Sequence, residues 1–265
     1  MPAEFTHYLV ARETYKALPE NIQKSIDTQL PLYFFGAQGA DFCFFYKFLQ
    51  PHVKNFGSYL HREGGYQAFQ ILQVFSEHDV ALKAYALGFI THYATDVLFH
   101  PYVYAMAGKS RILHSKIEGS FDVYFKDKLR PLWDSYAQYY RKPLLSKEEN
   151  ELFLLYSVIA ADAGFPPLSQ KPFSHAIKLF NAYPPLSSAL LTNNSPAFFK
   201  RYLNIEKKEW SYPADPAQVR TDGCEELFLK SVSFARSLCE DFLFATQTRT
   251  PLSKSQFGKN YLSGI

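Results

Sequence analysis

The chain of 265 residues has only three cysteines, Cys43, Cys224 and Cys239. They are odd in number, far apart and never in a CxxC pair. That excludes a disulfide framework and fits a reducing compartment. No block of five or six lysines and arginines occurs, and the net charge is only +3. A charge so mild argues against a stable nucleic-acid partner. The longest apolar stretches, such as AYALGFI at 84–90, are too short for a transmembrane segment. The opening residues lack a basic segment followed by an apolar run, so no signal peptide is read and a cytoplasmic location is expected. HExxH, GxSxG, P-loop and GxGxxG patterns are absent, which leaves zincin, serine-nucleophile and nucleotide-loop chemistry without support.

What the chain does contain is a globular balance of 47% hydrophobic and 20% charged residues, with aromatics at 17%. The rings suit either a core or a pocket for lipid-like material. The densest stretch, 33–48 around GAQGAD, favours the core. Gly36 and Gly39 make a close backbone approach or a positive φ cheap there. Helical periodicity predicts helices over 3–16, with Thr6 as N-cap, 20–29 ended by Pro31, 66–106 and 114–129. Further segments follow at 151–163, 173–182, 186–192, 196–204 and 223–246. Pro101 is expected to break or kink its helix, making His100 the last ligand on that face. No strand-like alternation between hairpin turns stands out. The expected fold is all-α, one domain over 1–265. Its metal-site residues lie in 1–125, a helical remainder spans 126–246, and 247–265 form a loosely held polar tail.

Six of the eight histidines precede residue 101. His92, Asp96 and His100 stand at i, i+4 and i+8, and His114 and Glu118 repeat the i, i+4 step, so each set shares a helix face. Imidazole and carboxylate so spaced suit zinc or another first-row metal rather than calcium or magnesium. Five or more ligands exceed one tetrahedral site. A set of structural hydrogen-bond pairs is the competing reading. His52, His78 and His175 fall outside the pattern.

The order of residues resembles the zinc-dependent phospholipase C family, distantly related to single-strand-specific zinc nucleases. The resemblance covers about residues 1–125. It rests on Thr6-His7, GAQGAD with Asp41, the lone His61, GFITHYATDVLFHPY with His92, Asp96 and His100, and HSKIE with His114 and Glu118. It implies an all-helical domain with two to three zinc ions at the bottom of a cleft. By it, Asp41, His61, His92 and Asp96 hold one zinc, and His100, His114 and Glu118 a second. Asp96 bridges to a third, which His7 also holds. Asp41 is the implied catalytic base. The implied activity is phospholipase C-like cleavage of a phospholipid or related phosphate ester by a zinc-activated water. Transient contact with a membrane surface goes with it, and the oligomeric state stays open. A single-strand nuclease or phosphatase of the same fold, and a non-catalytic metal-stabilised binding module, are the alternatives. Two departures stand out. Secreted members also chelate the third zinc through an N-terminal tryptophan, whereas the tryptophans here are Trp133 and Trp210, leaving the amine of Pro2 as a substitute. The Asp96–His100 spacing is also shorter than in those enzymes.

Overall fold

A computed structural model describes residues 4–129, 135–139, 141–182 and 201–265. The segment read as helix at 186–192, the part of 196–204 up to residue 200, Pro2 and Trp133 lie outside the described residues. The fold is all-α. Among the described residues, the helices in chain order are α1 (Glu4–Ala17), α2 (Glu20–Ile26), α3 (Leu30–Gly36), α4 (Tyr46–Leu49), α5 (Phe56–Leu60) and α6 (Gly65–Ser76). Then follow α7 (Val80–Ala107), α8 (Arg111–Leu129), α9 (Ser146–Asp162), α10 (Gln170–Ala182), α11 (Cys224–Thr248) and α12 (Lys254–Phe257). No helix among the described residues is long and apolar enough to cross a membrane.

Helix α7 is the axis. From Leu82 onward nearly every side chain on it is buried, the pattern of a helix surrounded by others rather than lying at a surface. Asp79 starts it, its Oδ1 accepting from the amides of Ala81 at 2.7 Å and Leu82 at 3.1 Å. That cap divides the periodicity read at 66–106 into α6 and α7. Helix α3 presses backbone to backbone against α7. A Cβ at Gly88 would lie 1.9 Å from the Tyr33 carbonyl oxygen, and one at Gly36 2.3 Å from that of Tyr85. Each glycine makes room for the other helix, a close approach that any larger residue would forbid.

The aromatic stretch 33–48 is mainly core: Tyr33, Phe34, Phe35, Phe42, Phe45 and Tyr46 are buried. Phe44 is half-buried and Phe48 exposed. The Tyr85 and Tyr156 hydroxyls meet at 2.6 Å, so these buried rings satisfy their polar ends.

Five expectations are corrected. Pro101 does not end its helix, because α7 runs on to Ala107. A proline removes one helical hydrogen bond but its fixed φ is helical; the exposed side of that gap is covered by the chain end, where a Cβ on Gly264 would lie 2.7 Å from the Val97 oxygen. Pro31 does not end a helix either but sits in the first turn of α3, where its missing N–H is no loss. Thr6 is not a cap. It lies inside α1, and its hydroxyl and amide both donate to Asp122 Oδ1 of α8 at 2.8 Å. An antiparallel hairpin does exist, β1 (Trp210–Tyr212) pairing with β2 (Asp215–Arg220) through Trp210 opposite Arg220 and Ser211 opposite Val219. Its β2 is exposed almost throughout, so it carries no hydrophobic alternation to read. Finally, the tail is not loose. Leu252, Phe257 and Tyr261 are buried, and the Tyr93 hydroxyl donates to the Gln256 carbonyl at 2.6 Å and accepts from the Lys259 amide at 3.0 Å.

Candidate metal centre

Five elements bring the eight expected residues together. Helix α1 contributes His7. Asp41 opens the 3-10 turn Asp41–Phe45, and His61 follows α5 directly. Helix α7 presents His92, Asp96 and His100 from one face, and α8 presents His114 and Glu118. Asp96 is the hub: its Oδ1 lies 3.3 Å from His7 Nε2 and 3.7 Å from His100 Nδ1, and its Oδ2 lies 3.2 Å from His92 Nε2. Asp41 Oδ1 lies 3.1 Å from His61 Nε2 and 4.0 Å from His92 Nε2. Glu118 Oε1 sits 3.3 Å from His100 Nε2 and 2.7 Å from His114 Nε2.

Three groups gather their ligand atoms within 4.8 Å: His7, His92 and Asp96; Asp41, His61 and His92; and His100, His114 and Glu118. The last group matches the set implied by resemblance. In the other two, His92 reaches both groups, and Asp96 gathers with His7 and His92 while its Oδ2 stays 3.9 Å from His61 Nε2.

The donor set fits a metal on a proton-counting argument. His61 Nδ1 lies 2.7 Å from the Gly57 carbonyl and His100 Nδ1 lies 3.1 Å from the Tyr261 carbonyl. A carbonyl only accepts, so each Nδ1 carries a proton and each neutral ring turns its Nε2 lone pair inward. There it faces a carboxylate oxygen, and at His61 also the Nε2 of His92 at 3.4 Å. Lone pairs facing one another in a buried site need a cation between them, either a proton or a metal ion. Asp96 Oδ2 and Glu118 Oε2 are buried without a hydrogen-bond partner, Asp96 Oδ2 lying 3.2 Å from His92 Nε2. Such orphaned oxygens are rare in proteins, and they suit coordination.

Charge in the cluster follows the same logic. Burial raises Asp96, but His100 and His92 outweigh it and hold the carboxyl well below the usual range. Burial likewise works against ionising Asp41 and Glu118, yet His61 and His92 lower the first, and His100 and His114 lower the second. Burial resists a charge on His100, and Asp96 and Glu118 reverse that, raising it to about 9. His61 is raised by Asp41 against the same burial. His92 is pushed down by burial, with His7 adding to the effect.

Packing supplies the remaining constraints. Gly39 has φ +58°, and a Cβ there would meet His92 Cδ2 at 2.1 Å, so this turn can carry no larger residue beside that ring. The ring of Tyr261 packs edge-on to His61 at 5.2 Å, and the Tyr261 amide donates to the His61 carbonyl at 3.1 Å. Neither Gly57 nor Tyr261 is visible to a search for ligands, because each acts through its backbone carbonyl and Tyr261 is 161 residues from His100. His52, His78 and His175 are exposed and take no part.

The family model for zinc dependent phospholipase C matches residues 6–161. The chain belongs to the zinc-dependent phospholipase C family. No curated protein and no solved structure matches it. All eight candidate ligands of this family member lie inside the matched span, and the second contributor of a ring-orienting carbonyl, Tyr261, lies beyond it. Zinc dependence therefore rests on the family together with three histidine and carboxylate groups able to hold a metal.

Proposed function

We propose that the chain is a zinc-dependent phosphoric ester hydrolase whose substrate is a phospholipid or a related phosphodiester. The observation that carries this reading is a cleft of about 190 Å³ onto which Asp41, His61, Asp96, His100, His114 and Glu118 all face. The candidate ligands thus border space that an ester can enter, which purely structural hydrogen-bond pairs have no need to do. Phe44, Tyr104 and Leu262 form its apolar border, suited to a lipid-like substrate.

In this reading two to three zinc ions are held by His7, Asp41, His61, His92, Asp96, His100, His114 and Glu118 in the three groups above. Bound zinc supplies a Lewis acid and a water of lowered pKa. The chain supplies the rest. Asp41, held ionised and facing the cleft, takes the proton of the attacking water through a carboxylate oxygen. Among the described residues, Arg62 is the one arginine or lysine on the cleft wall, placed to pair with a non-bridging phosphoryl oxygen. Phe44 and Tyr104 keep bulk water from the reacting ester. We read the chain as one all-helical domain that touches a membrane surface only in passing, and its free, buried cysteines support a cytoplasmic setting.

The test pairs elemental zinc analysis with release of phosphorylated headgroup from phospholipid vesicles. Asp41→Asn is expected to keep most bound zinc and to lose turnover by about 10²- to 10⁴-fold. Wild-type turnover in that variant would overturn the role of Asp41. Zinc-loaded protein that turns over no phosphate ester would leave the metal-stabilised binding module.

A further inference from the structure

Beside the metal cleft runs a larger groove of about 870 Å³, with Lys47, Lys54, Arg62, Lys109 and Arg111 along it and, among the described residues, no aspartate or glutamate in its lining. All five cations are exposed, and none forms an ion pair with a described residue. The net charge of the entire chain is +3. Five uncompensated cations on one concave surface exceed that total, so positive charge is concentrated here while the remaining surface is on balance acidic or neutral. Groove and cleft are continuous, sharing Phe44, Ser58, Arg62, Tyr104 and His114. Arg62 joins them covalently as well, being the residue after His61.

We infer that this groove binds a second anionic group on the substrate, making the enzyme selective for phosphate esters whose headgroup is itself phosphorylated. The inference rests on the proposed hydrolase reading and names its substrate class. A quaternary-ammonium headgroup would need aromatic faces and negative charge around it, whereas this groove offers two rings and five repelling cations. A phosphate matches what is there: arginine forks for paired oxygens and lysines as point charges. The volume suits a small headgroup rather than a polymer. A single strand would call for a row of stacking rings, and Phe44 and Tyr104 are the only aromatics among the described residues of the lining.

The experiment uses the zinc-loaded full chain and compares calorimetric binding of glucose 1,6-bisphosphate with glucose 1-phosphate. The bisphosphate is expected to bind at least about tenfold more tightly, with the advantage falling as salt is added. The exposed-site variant Lys109→Glu/Arg111→Glu should lose that advantage while zinc content and melting temperature stay as in wild type. A parallel assay offers a phosphodiester with a phosphorylated headgroup either free in solution or carried in a vesicle. Faster cleavage than of its unphosphorylated counterpart in either arm supports the inference, and the faster arm identifies a soluble or a membrane-borne source. Equal affinity for the two sugar phosphates would overturn it even if esters are cleaved. So would an advantage that survives both Lys109→Glu/Arg111→Glu and Lys47→Glu/Lys54→Glu, or a single-stranded oligonucleotide that outcompetes the bisphosphate. A bisphosphate advantage without turnover of any ester would instead end the hydrolase reading and keep the anion site.

Discussion

The inner and rim parts of the candidate metal centre hold their imidazoles in different ways. His7 and His92 are wedged: their rings sit 4.4 Å apart, His92 has no exposed surface, and neither Nδ1 has a hydrogen-bond partner. At the rim, His100 is steered by the Tyr261 carbonyl, and the His114 side chain keeps 17% of its surface exposed. His7 and His92 therefore depend on packing, whereas His100 depends on the Tyr261 carbonyl, to which its Nδ1 donates. Packing is rigid and slow to rearrange. The Tyr261 carbonyl comes from a segment far in sequence from the ligand helices, so the two parts should respond differently to substitution, protons and truncation.

Asp96 belongs to both, and its loss should have the largest effect. Asp96→Ala leaves His7, His92 and His100 around a buried gap and removes the hub carboxylate. The expected outcome is loss of zinc from inner and rim groups together, with stability falling by about 3–5 kcal/mol. Zinc per chain and the urea midpoint measure this. Retention of full metal content would mean that the two parts are independent and that Asp96 does not join them.

Protons should separate them next. In the metal-free chain His100 has a pKa raised from 6.5 to about 9. A histidine with a raised folded-state pKa contributes stability that is fully present below 6.5 and is lost as pH rises through about 9. Zinc follows the opposite sign because it needs the unprotonated Nε2. Rim affinity should thus rise by about tenfold per pH unit between those two values. Zinc titration at either end of that window reads it out. Affinity flat across the window would show that no proton is displaced from His100.

Truncation tests the carbonyl. Removing residues 260–265 takes away the partner of His100 Nδ1 and the ring beside His61. Loss of such an outer partner weakens metal binding by about 10- to 100-fold. The weakest-bound zinc should be affected first, with the inner ions retained. Equal weakening of all ions would show that the tail supports the core as a whole.

Much of this centre was legible in the sequence, for a physical reason. Ligands on one helix face recur at i, i+3 or i, i+4, and His92, Asp96 and His100, like His114 and Glu118, keep the i, i+4 spacing whatever surrounds them. The glycines of GAQGAD were legible too, since neither the backbone of α7 against Gly36 nor the His92 ring against Gly39 admits a side chain. Contacts between distant segments were not. Gly264 packs over the gap that Pro101 leaves in α7, and Tyr261 orients His100; neither contact leaves a local pattern. The groove cations went unread because they come from separate segments, at 47, 54, 62 and 109–111, and form no run.

The smallest expected effect concerns Thr6, which neighbours a wedged ligand. Its hydroxyl donates to Asp122 Oδ1, but Asp122 also accepts from the amides of Phe5 and Thr6. Burial raises the Asp122 carboxyl to about 6 even with these donors, so one fewer should raise it further. Thr6→Val keeps the shape and removes one of the three bonds, which should cost about 1 kcal/mol. If His7 is held by packing, zinc content should not change. Loss of the inner zinc in Thr6→Val, measured beside the urea midpoint, would show that His7 too is steered by hydrogen bonding. The distinction between wedged and steered ligands would then collapse into one mechanism.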